Sequence, residues 1–186
     1  MTGRRRRDCF PQVGFAPLNP DKTWYFLGMF LVGDGPERHA GQITSWMKVH
    51  PSVALVVAAV YFEWTVCRVI IGLSIAPNRV VRHELERIYG LPKLSGFWNR
   101  QLRHLPGYLA LKSVINFKAV ESAFEARNRL AHGKDRYTTN MAQPHVGAPL
   151  EAVTAVRAFC LARGFDPMKK LPIRRKARPV TAKEIA

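Results

Sequence analysis

Apolar residues recur at helical intervals along most of the chain. Pro36 begins one such stretch, which predicts a helix to about Val49, and Pro51 begins a longer one, which predicts a helix to about Leu73. Proline suits the first turn of a helix because the N–H that it lacks would have no intrahelical partner there. The sequence shows no strand alternation, hairpin signal or internal repeat, so the pattern predicts an all-α fold.

Five further stretches carry helical spacing: residues 22–31, capped by Asp21, and residues 80–89, 97–105, 108–133 and 150–163. Gly133 is suited to end the fourth of them. Residues 133–149 lack apolar periodicity, which predicts a long functional or mobile loop. Together the stretches predict a helical bundle of four to five main helices.

The length and charge of the chain indicate one domain with basic ends. The chain has 186 residues, 47% of them apolar, which is enough for a sizeable core. Its formal net charge is +16, and residues 1–8 and 169–186 together contribute nine of these charges. We expect a single domain over residues 21–165 between a basic, proline-rich arm (residues 1–20) and a basic tail (residues 166–186), with both termini flexible. Such a positive surplus favours an anionic partner, such as nucleic acid or an acidic membrane.

The sequence disfavours several classes of protein. Cys9, Cys67 and Cys160 are far apart and form no CxxC pair, which argues against a disulfide framework and a cysteine-rich zinc site and favours a reducing cytosol. The histidines show no metal-ligand spacing, and Gly133-Lys134 lacks the rest of a P-loop. Prolines and glycines interrupt the N-terminal region, so no secretory signal is indicated. We expect a cytoplasmic protein with no metal and no cofactor.

The most apolar segment, residues 52–74, is long enough to cross a bilayer. Glu63 and Arg68 lie near its centre, and each central charge costs about 2.5 to 3.5 kcal/mol on the insertion scale. Each Leu, Ile, Phe or Val returns only about 0.3 to 0.6 kcal/mol, so the sum is close to zero. We interpret the segment as the central core helix of a soluble protein and expect no membrane partner.

The sharpest local signal is the segment RNRLAH, residues 127–132, at the end of a strongly apolar predicted helix. It resembles the motif of the HEPN superfamily of helical-bundle ribonucleases and RNA-binding domains, in which Arg precedes His by four to six residues and Asn often follows the Arg. The match covers Arg127, Asn128 and His132, with the helical pattern of residues 51–163 as looser support. A toxin branch of the family has Tyr two residues after the His, where this chain has Lys134. Control of the protein by modification of that tyrosine is therefore not implied.

The resemblance implies a metal-independent endoribonuclease that cleaves RNA by attack of the ribose 2′-hydroxyl, leaving a cyclic phosphate and a free 5′-hydroxyl. Arg127 would stabilise charge on the phosphate, His132 would transfer protons, and Asn128 would orient either group. The family dimerises so that two copies of the motif share one cleft, which implies a homodimer. A toxin, defence or RNA-processing role follows by the same analogy, with an antitoxin or a ribonucleoprotein as a further partner.

Glu63 is a carboxylate among apolar helical neighbours and therefore needs a partner. Arg127 and His132 lie about 140° apart around a helix, and Arg127 emerges from the apolar stripe. Arg68 is poorly placed for Glu63, and we expect Arg129 to pair with Glu125 one turn earlier. We therefore predict that Glu63 holds Arg127 from a facing helix, either as a plain ion pair or as a support for the chemistry of the site.

Other cations near the motif or on another predicted helix are candidates for RNA contacts: Arg129, Lys134, Arg136, Arg100 and Arg103. The aromatic residues Phe97 and Trp98 lie next to Arg100 and Arg103 in the sequence, and RNA-binding surfaces often mix rings and cations in this way. Trp98 also shares helical spacing with Leu102, as core residues do.

Three classes of function stay open at this point. They are the ribonuclease, a non-catalytic RNA-binding module or ribonucleoprotein subunit, and a helical scaffold or membrane-surface protein that uses its basic tails.

Overall fold

A computed structural model describes residues 36–177, and the side chains of residues 36 and 37 are left out of the description. This part of the chain contains seven α-helices and no strand, so the prediction of an all-α fold is confirmed. The helices are α1 (Pro36–Val49), α2 (Pro51–Leu73), α3 (Asn78–Leu85), α4 (Leu91–Leu102), α5 (Leu111–Val114), α6 (Phe117–Ala131) and α7 (Thr139–Leu161). The N-terminal arm, the short helix predicted over residues 22–31 and residues 178–186 lie outside the described residues.

The first two helices begin and end where the sequence predicts. Pro36 and Pro51 each occupy the first position of a helix, and His50 alone separates the two helices. Eleven of the 23 residues of α2 are buried, and the helix packs against α1, α3, α4, α6 and α7. It is therefore the central helix of the bundle, as predicted.

Among the described residues, α2 is the one helix long and apolar enough to cross a membrane by length and composition. In the fold, 61% of its most apolar window is buried against the other helices. A core helix of a soluble protein passes the same length and composition test. The fold is compatible with a soluble protein.

The stretch predicted as one helix over residues 108–133 is two helices. Ile115 adopts an extended conformation after the single turn of α5, and Asn116 caps α6, its side chain accepting a hydrogen bond from the backbone N–H of Ala119 at 3.3 Å. An asparagine satisfies an otherwise unpaired N–H at a helix start and competes with the helix in its interior. Asn116 is thus the local reason why the helix restarts here.

The prediction of a loop over residues 133–149 is wrong. Only residues 132–138 connect α6 to α7, and α7 continues through Pro144 and Pro149. A proline inside a helix costs about 3 kcal/mol or more, so this cost is offset by packing. The packing comes from a buried stripe at three- and four-residue spacing: Ala142, Val146, Pro149, Val153, Val156 and Cys160.

The predicted flexible tail begins at residue 166, but the chain stays in contact with α2 beyond that point. We call residues 165–177 the strap. A Cβ at Gly72 would overlap the Phe165 ring, so glycine allows this close approach. The Arg174 guanidinium donates to backbone carbonyls at the C-terminal end of α2, those of Gly72 at 2.8 Å and Ala76 at 3.0 Å among them. These contacts satisfy carbonyls that a helix end leaves unpaired.

The core closes around large side chains that α4 and α7 contribute. Phe97 and Trp98 are buried, and the Trp98 indole N–H donates to the carbonyl of Leu109 at 3.1 Å. The Trp98 ring also contacts Phe159, with ring centroids 5.5 Å apart. Of the two interpretations that the sequence left open for Phe97 and Trp98, the structure supports core packing.

Candidate functional site

The candidate site lies on the last two turns of α6, where that helix crosses α2. Val120, Ala123 and Phe124 are buried against the bundle, and the Phe124 ring meets Phe62 of α2 edge to face, with centroids 6.1 Å apart. This packing fixes the position along α2 at which α6 crosses it. It brings the next residue of the same stripe, Arg127, to Glu63.

Arg127 is a partly buried cation that contacts Glu63, Asn128 and Phe124. Its Nη1 lies 3.5 Å from Glu63 Oε2, and its Nε and Nη2 donate to Asn128 Oδ1 at 3.2 and 3.0 Å. The guanidinium also lies over the Phe124 ring, 4.9 Å from its centroid. A guanidinium carries five N–H donors, so these contacts leave two of them for another acceptor.

Glu63 is the carboxylate that the sequence analysis paired with Arg127, and this pairing is confirmed. Its side chain is 21% exposed, and burial raises the pKa of the carboxyl while the nearby Arg127 cation lowers it. Burial is the larger effect, so the pKa lies above its ordinary value. Cys67, one turn later on α2, is a thiol whose pKa is raised to about 12 by burial and by the Glu63 charge, so it is not a reactive thiolate.

His132 caps the C-terminus of α6 and is exposed. The backbone turns away through Gly133, which has a positive φ of 65°, a conformation that glycine adopts without strain. Gly133 N–H donates to the carbonyl of Leu130 and Lys134 N–H to that of Arg129, both at 2.9 Å. The two bonds form a Schellman motif, which holds the backbone of His132 at a fixed place on the end of the helix.

Arg129 pairs with Asp135 and not with Glu125, as we had expected from sequence spacing. Its Nε lies 2.7 Å from Asp135 Oδ2, and Tyr137 donates its hydroxyl to the same carboxylate at 3.1 Å. The Tyr137 ring meets His145 of α7 edge to face at 5.8 Å. Hydrogen bonding to Arg129 lowers the pKa of the Asp135 carboxyl. This network ties the connection after His132 to both helices that flank it.

The remaining predicted RNA contacts divide into two groups. Lys134 and Arg136 are exposed on the connection that follows His132. Arg100 lies on α4 and Arg103 is the residue that follows it, and the main contacts of α4 within residues 36–177 are with α2 and α5 and not with α6. Arg100 is also paired with Glu84, at 2.8 Å. The structure therefore places Asn128 and Glu63 in contact with Arg127 and leaves Arg100 and Arg103 at the end of a different helix.

Arg127 and His132 do not meet within one chain. Over residues 36–177, no hydrogen bond or ion pair joins the guanidinium to the imidazole. This agrees with the angular separation of about 140° that helix geometry gives to residues five apart. Across the same residues, no group of three or more His, Cys, Asp or Glu side chains has the arrangement of a metal site.

Comparison with known proteins finds no family model that matches the chain, and no characterised protein or solved structure with significant similarity to it. The resemblance to the HEPN superfamily therefore rests on the motif residues and their surroundings.

Three residues of the site were not assigned to it by the sequence analysis. Phe124 is one turn before Arg127 on the same face, a spacing that favours contact between a ring and a cation. Asp135 and Tyr137 lie in the connection after the motif, where no periodicity indicates which side chains meet. Asp135, six residues after Arg129, could have been considered as its ion-pair partner, but helical spacing favoured Glu125.

Proposed function

We propose that the chain is a HEPN-like, metal-independent endoribonuclease that acts as a homodimer on RNA. The observation that carries the proposal is the assembly of Arg127, Asn128 and Glu63 beside a helix end that presents His132 to solvent. A bundle of four to five main helices with basic termini would supply the scaffold.

The chemistry asked of the site needs one cation and groups that move two protons. The ribose 2′-oxygen attacks phosphorus and gives its proton to a base, while the bond from phosphorus to the 5′-oxygen breaks and that oxygen takes up a proton. The products are a cyclic phosphate and a free 5′-hydroxyl. Arg127 would bind the phosphate oxygens through its two remaining N–H groups, and histidine changes protonation in the pH range where such transfers occur.

A second copy of the chain would complete this site. One imidazole cannot act on both sides of the phosphorus in the same step, and each chain carries a single motif histidine. In a homodimer with both α6 ends in one cleft, the Arg127 of one protomer would act with the His132 of its partner. An antitoxin or a ribonucleoprotein partner, and a cytoplasmic role in defence or RNA processing, belong to the same proposal.

The nuclease is tested with purified protein, a labelled RNA and EDTA. We expect the wild type to cleave the RNA into products with cyclic phosphate ends, and His132→Ala to reduce the rate by about 10²- to 10⁴-fold while RNA binding is retained. His83→Ala is the matched control, because His83 is also an exposed histidine, on α3, and its partner is Glu86. A wild type that binds RNA without cleaving it would overturn the nuclease.

A non-catalytic RNA-binding module is the second candidate, and one observation favours it. Within the described residues, the His132 side chain has no hydrogen-bond partner that would orient its ring. Catalytic imidazoles are commonly oriented by a second group. Binding by the wild type that survives His132→Ala and falls with Arg127→Met, with no cleavage by either protein, would establish this candidate.

The role of Glu63 is tested by Glu63→Gln, which keeps the shape of the side chain and removes its charge. Loss of cleavage with an unchanged fold would assign Glu63 a role in positioning Arg127 for the reaction. Full activity in this variant would reduce the contact to a plain interhelical ion pair.

A further inference from the structure

The strap carries cations to a part of the bundle that the candidate site does not use. Asn78, the first residue of α3, donates its backbone N–H to the Arg174 carbonyl at 3.0 Å and its side-chain amide to the Pro172 carbonyl at 2.7 Å. Arg68 of α2 donates to the carbonyls of Pro167 and Lys169. Both ends of the strap are therefore fixed, one beside α3 and the other on α2.

Six exposed cations stand on this fixed backbone and on the adjacent helix. We call them the basic surface: Arg79 and Arg82 of α3 with Lys169, Lys170, Arg175 and Lys176 of the strap. Arg82 lies close enough to Arg68 to lower the pKa of that guanidinium, after the larger effect of burial. Arg82 of α3 therefore lies close to the residue, Arg68, that holds one end of the strap.

The acids of this region contact side chains other than the six cations. Glu84 forms an ion pair with Arg100 at 2.8 Å, and Glu86 lies 3.5 Å from His83, a contact that is an ion pair only when the imidazole is protonated. Asp166 lies 3.7 Å from Arg157. None of the six cations of the basic surface has an ion-pair partner among residues 36–177. Like charges held together repel one another, and a polyanion removes that repulsion and releases its own counterions.

The outer side of α3 suits a phosphodiester chain better than a lipid bilayer. Val81 is buried, and the exposed large apolar side chains of α3 and the strap are Val80 and Ile173, one on each segment. A helix that lies in a membrane interface needs a broad apolar face beside its cations. A nucleic-acid backbone needs the cations alone.

We propose that the basic surface binds the phosphodiester backbone of single-stranded RNA. The choice of RNA rests on the proposed function, whereas the position of the surface rests on the strap and α3. The surface would hold RNA away from the motif, so that a chain long enough to reach both places binds more tightly than a short one.

The experiment measures binding of labelled single-stranded RNAs of about 10 and 40 nucleotides to full-length protein carrying His132→Ala, which prevents cleavage. The test variant adds Arg79→Gln, Arg82→Gln and Lys170→Gln. The control variant adds three exposed lysines changed in the same way, Lys48→Gln, Lys93→Gln and Lys118→Gln. Each single-strand phosphate contact contributes about 0.7 to the slope of log K against log salt, so the test variant should lower the slope by about two units.

We expect at least a tenfold loss of affinity for the longer RNA in the test variant and little change in the control variant. Equal losses in both variants, or no loss in either, would overturn the proposal. Binding to vesicles of phosphatidylserine that falls in the test variant while RNA binding does not would assign the surface to membranes instead. A wild type that does not cleave RNA, together with a selective loss in the test variant, would refute the nuclease and leave this surface in place.

Discussion

The two charges in the apolar helix α2 are accommodated in different ways. Glu63 meets a cation of another helix, Arg127, so that region holds a carboxylate and a guanidinium in one partly buried pair. Arg68 lies over the Trp64 ring and donates to carbonyls of the strap. In the first region two charges offset each other, and in the second a cation orders a segment of backbone.

This difference decides what each region can do. A paired guanidinium with spare N–H groups is held in place for an anion and does not by itself raise the local potential. A cation satisfied mainly by neutral carbonyls keeps the region positive and adds to the cations of α3 and the strap. The Glu63 region therefore suits a single phosphate in a defined geometry, and the Arg68 region suits a chain of phosphates.

Arg127→Met should produce the largest loss of stability. Removing the cation leaves the Glu63 carboxylate partly buried and unpaired, which costs about 2–3 kcal/mol at neutral pH, less than for a fully buried pair. Without Arg127, the already raised pKa of Glu63 rises further. A carboxyl with a higher pKa in the folded state binds protons on folding, so the deficit should shrink as the pH falls from 7 towards 4.5.

Denaturant unfolding of the wild type and Arg127→Met at several pH values measures this effect. The double variant Glu63→Gln, Arg127→Met is the control and is compared with Glu63→Gln. Neither of these two proteins has the carboxylate, so the difference between their free energies of unfolding should not change with pH. An Arg127→Met deficit that is the same at pH 7 and 4.5 would show that the pair contributes through packing and not through charge.

Arg68→Met should have a smaller effect with a different signature. The variant loses two hydrogen bonds to strap carbonyls and the contact with Trp64, which together cost about 1–2 kcal/mol. Asp166, the carboxylate whose charge acts on Arg68, keeps Arg157 at 3.7 Å as a partner, so the deficit should change less between pH 7 and 4.5 than that of Arg127→Met. Limited proteolysis should cut the variant faster after Lys169 and Lys170, because the backbone on the N-terminal side of these residues loses its hydrogen bonds to Arg68.

Much of the fold follows from local chemistry in the sequence, and the exceptions have physical reasons. The starts of α1 and α2 follow from a proline at the first helical position. The start of α7 was missed because its buried stripe begins with Ala142 and reaches the core again through Pro149, two residue types that do not register as apolar periodicity. Packing against α2, α6 and α1 overrides the proline preference there.

The candidate site also contains one contact that the sequence could predict and others that it could not. The contact of Glu63 with Arg127 was predictable, since a carboxylate in an apolar helix requires a cation and Arg127 was the available one. The partner of Arg129 was not, because the reverse of direction at Gly133 brings Asp135 back to the helix and helical spacing does not apply across a turn. The strap was missed because its contacts are with backbone carbonyls, which any sequence offers.

Asp135→Asn should have the smallest effect and tests whether the turn after His132 matters to the site. The exposed Arg129 would lose its ion pair, and the half-buried Tyr137 would share one remaining acceptor oxygen with it, so the stability of the fold should change little. If the network holds the end of α6 in the geometry for cleavage, the rate should fall by about three- to tenfold, since small displacements of a proton-transfer group weaken catalysis. The cleavage rate should fall while RNA affinity stays unchanged, and Asp135→Glu should restore part of the rate. A drop in affinity without a drop in the rate at saturating RNA would instead assign the network to RNA binding, together with Lys134 and Arg136 of the same connection.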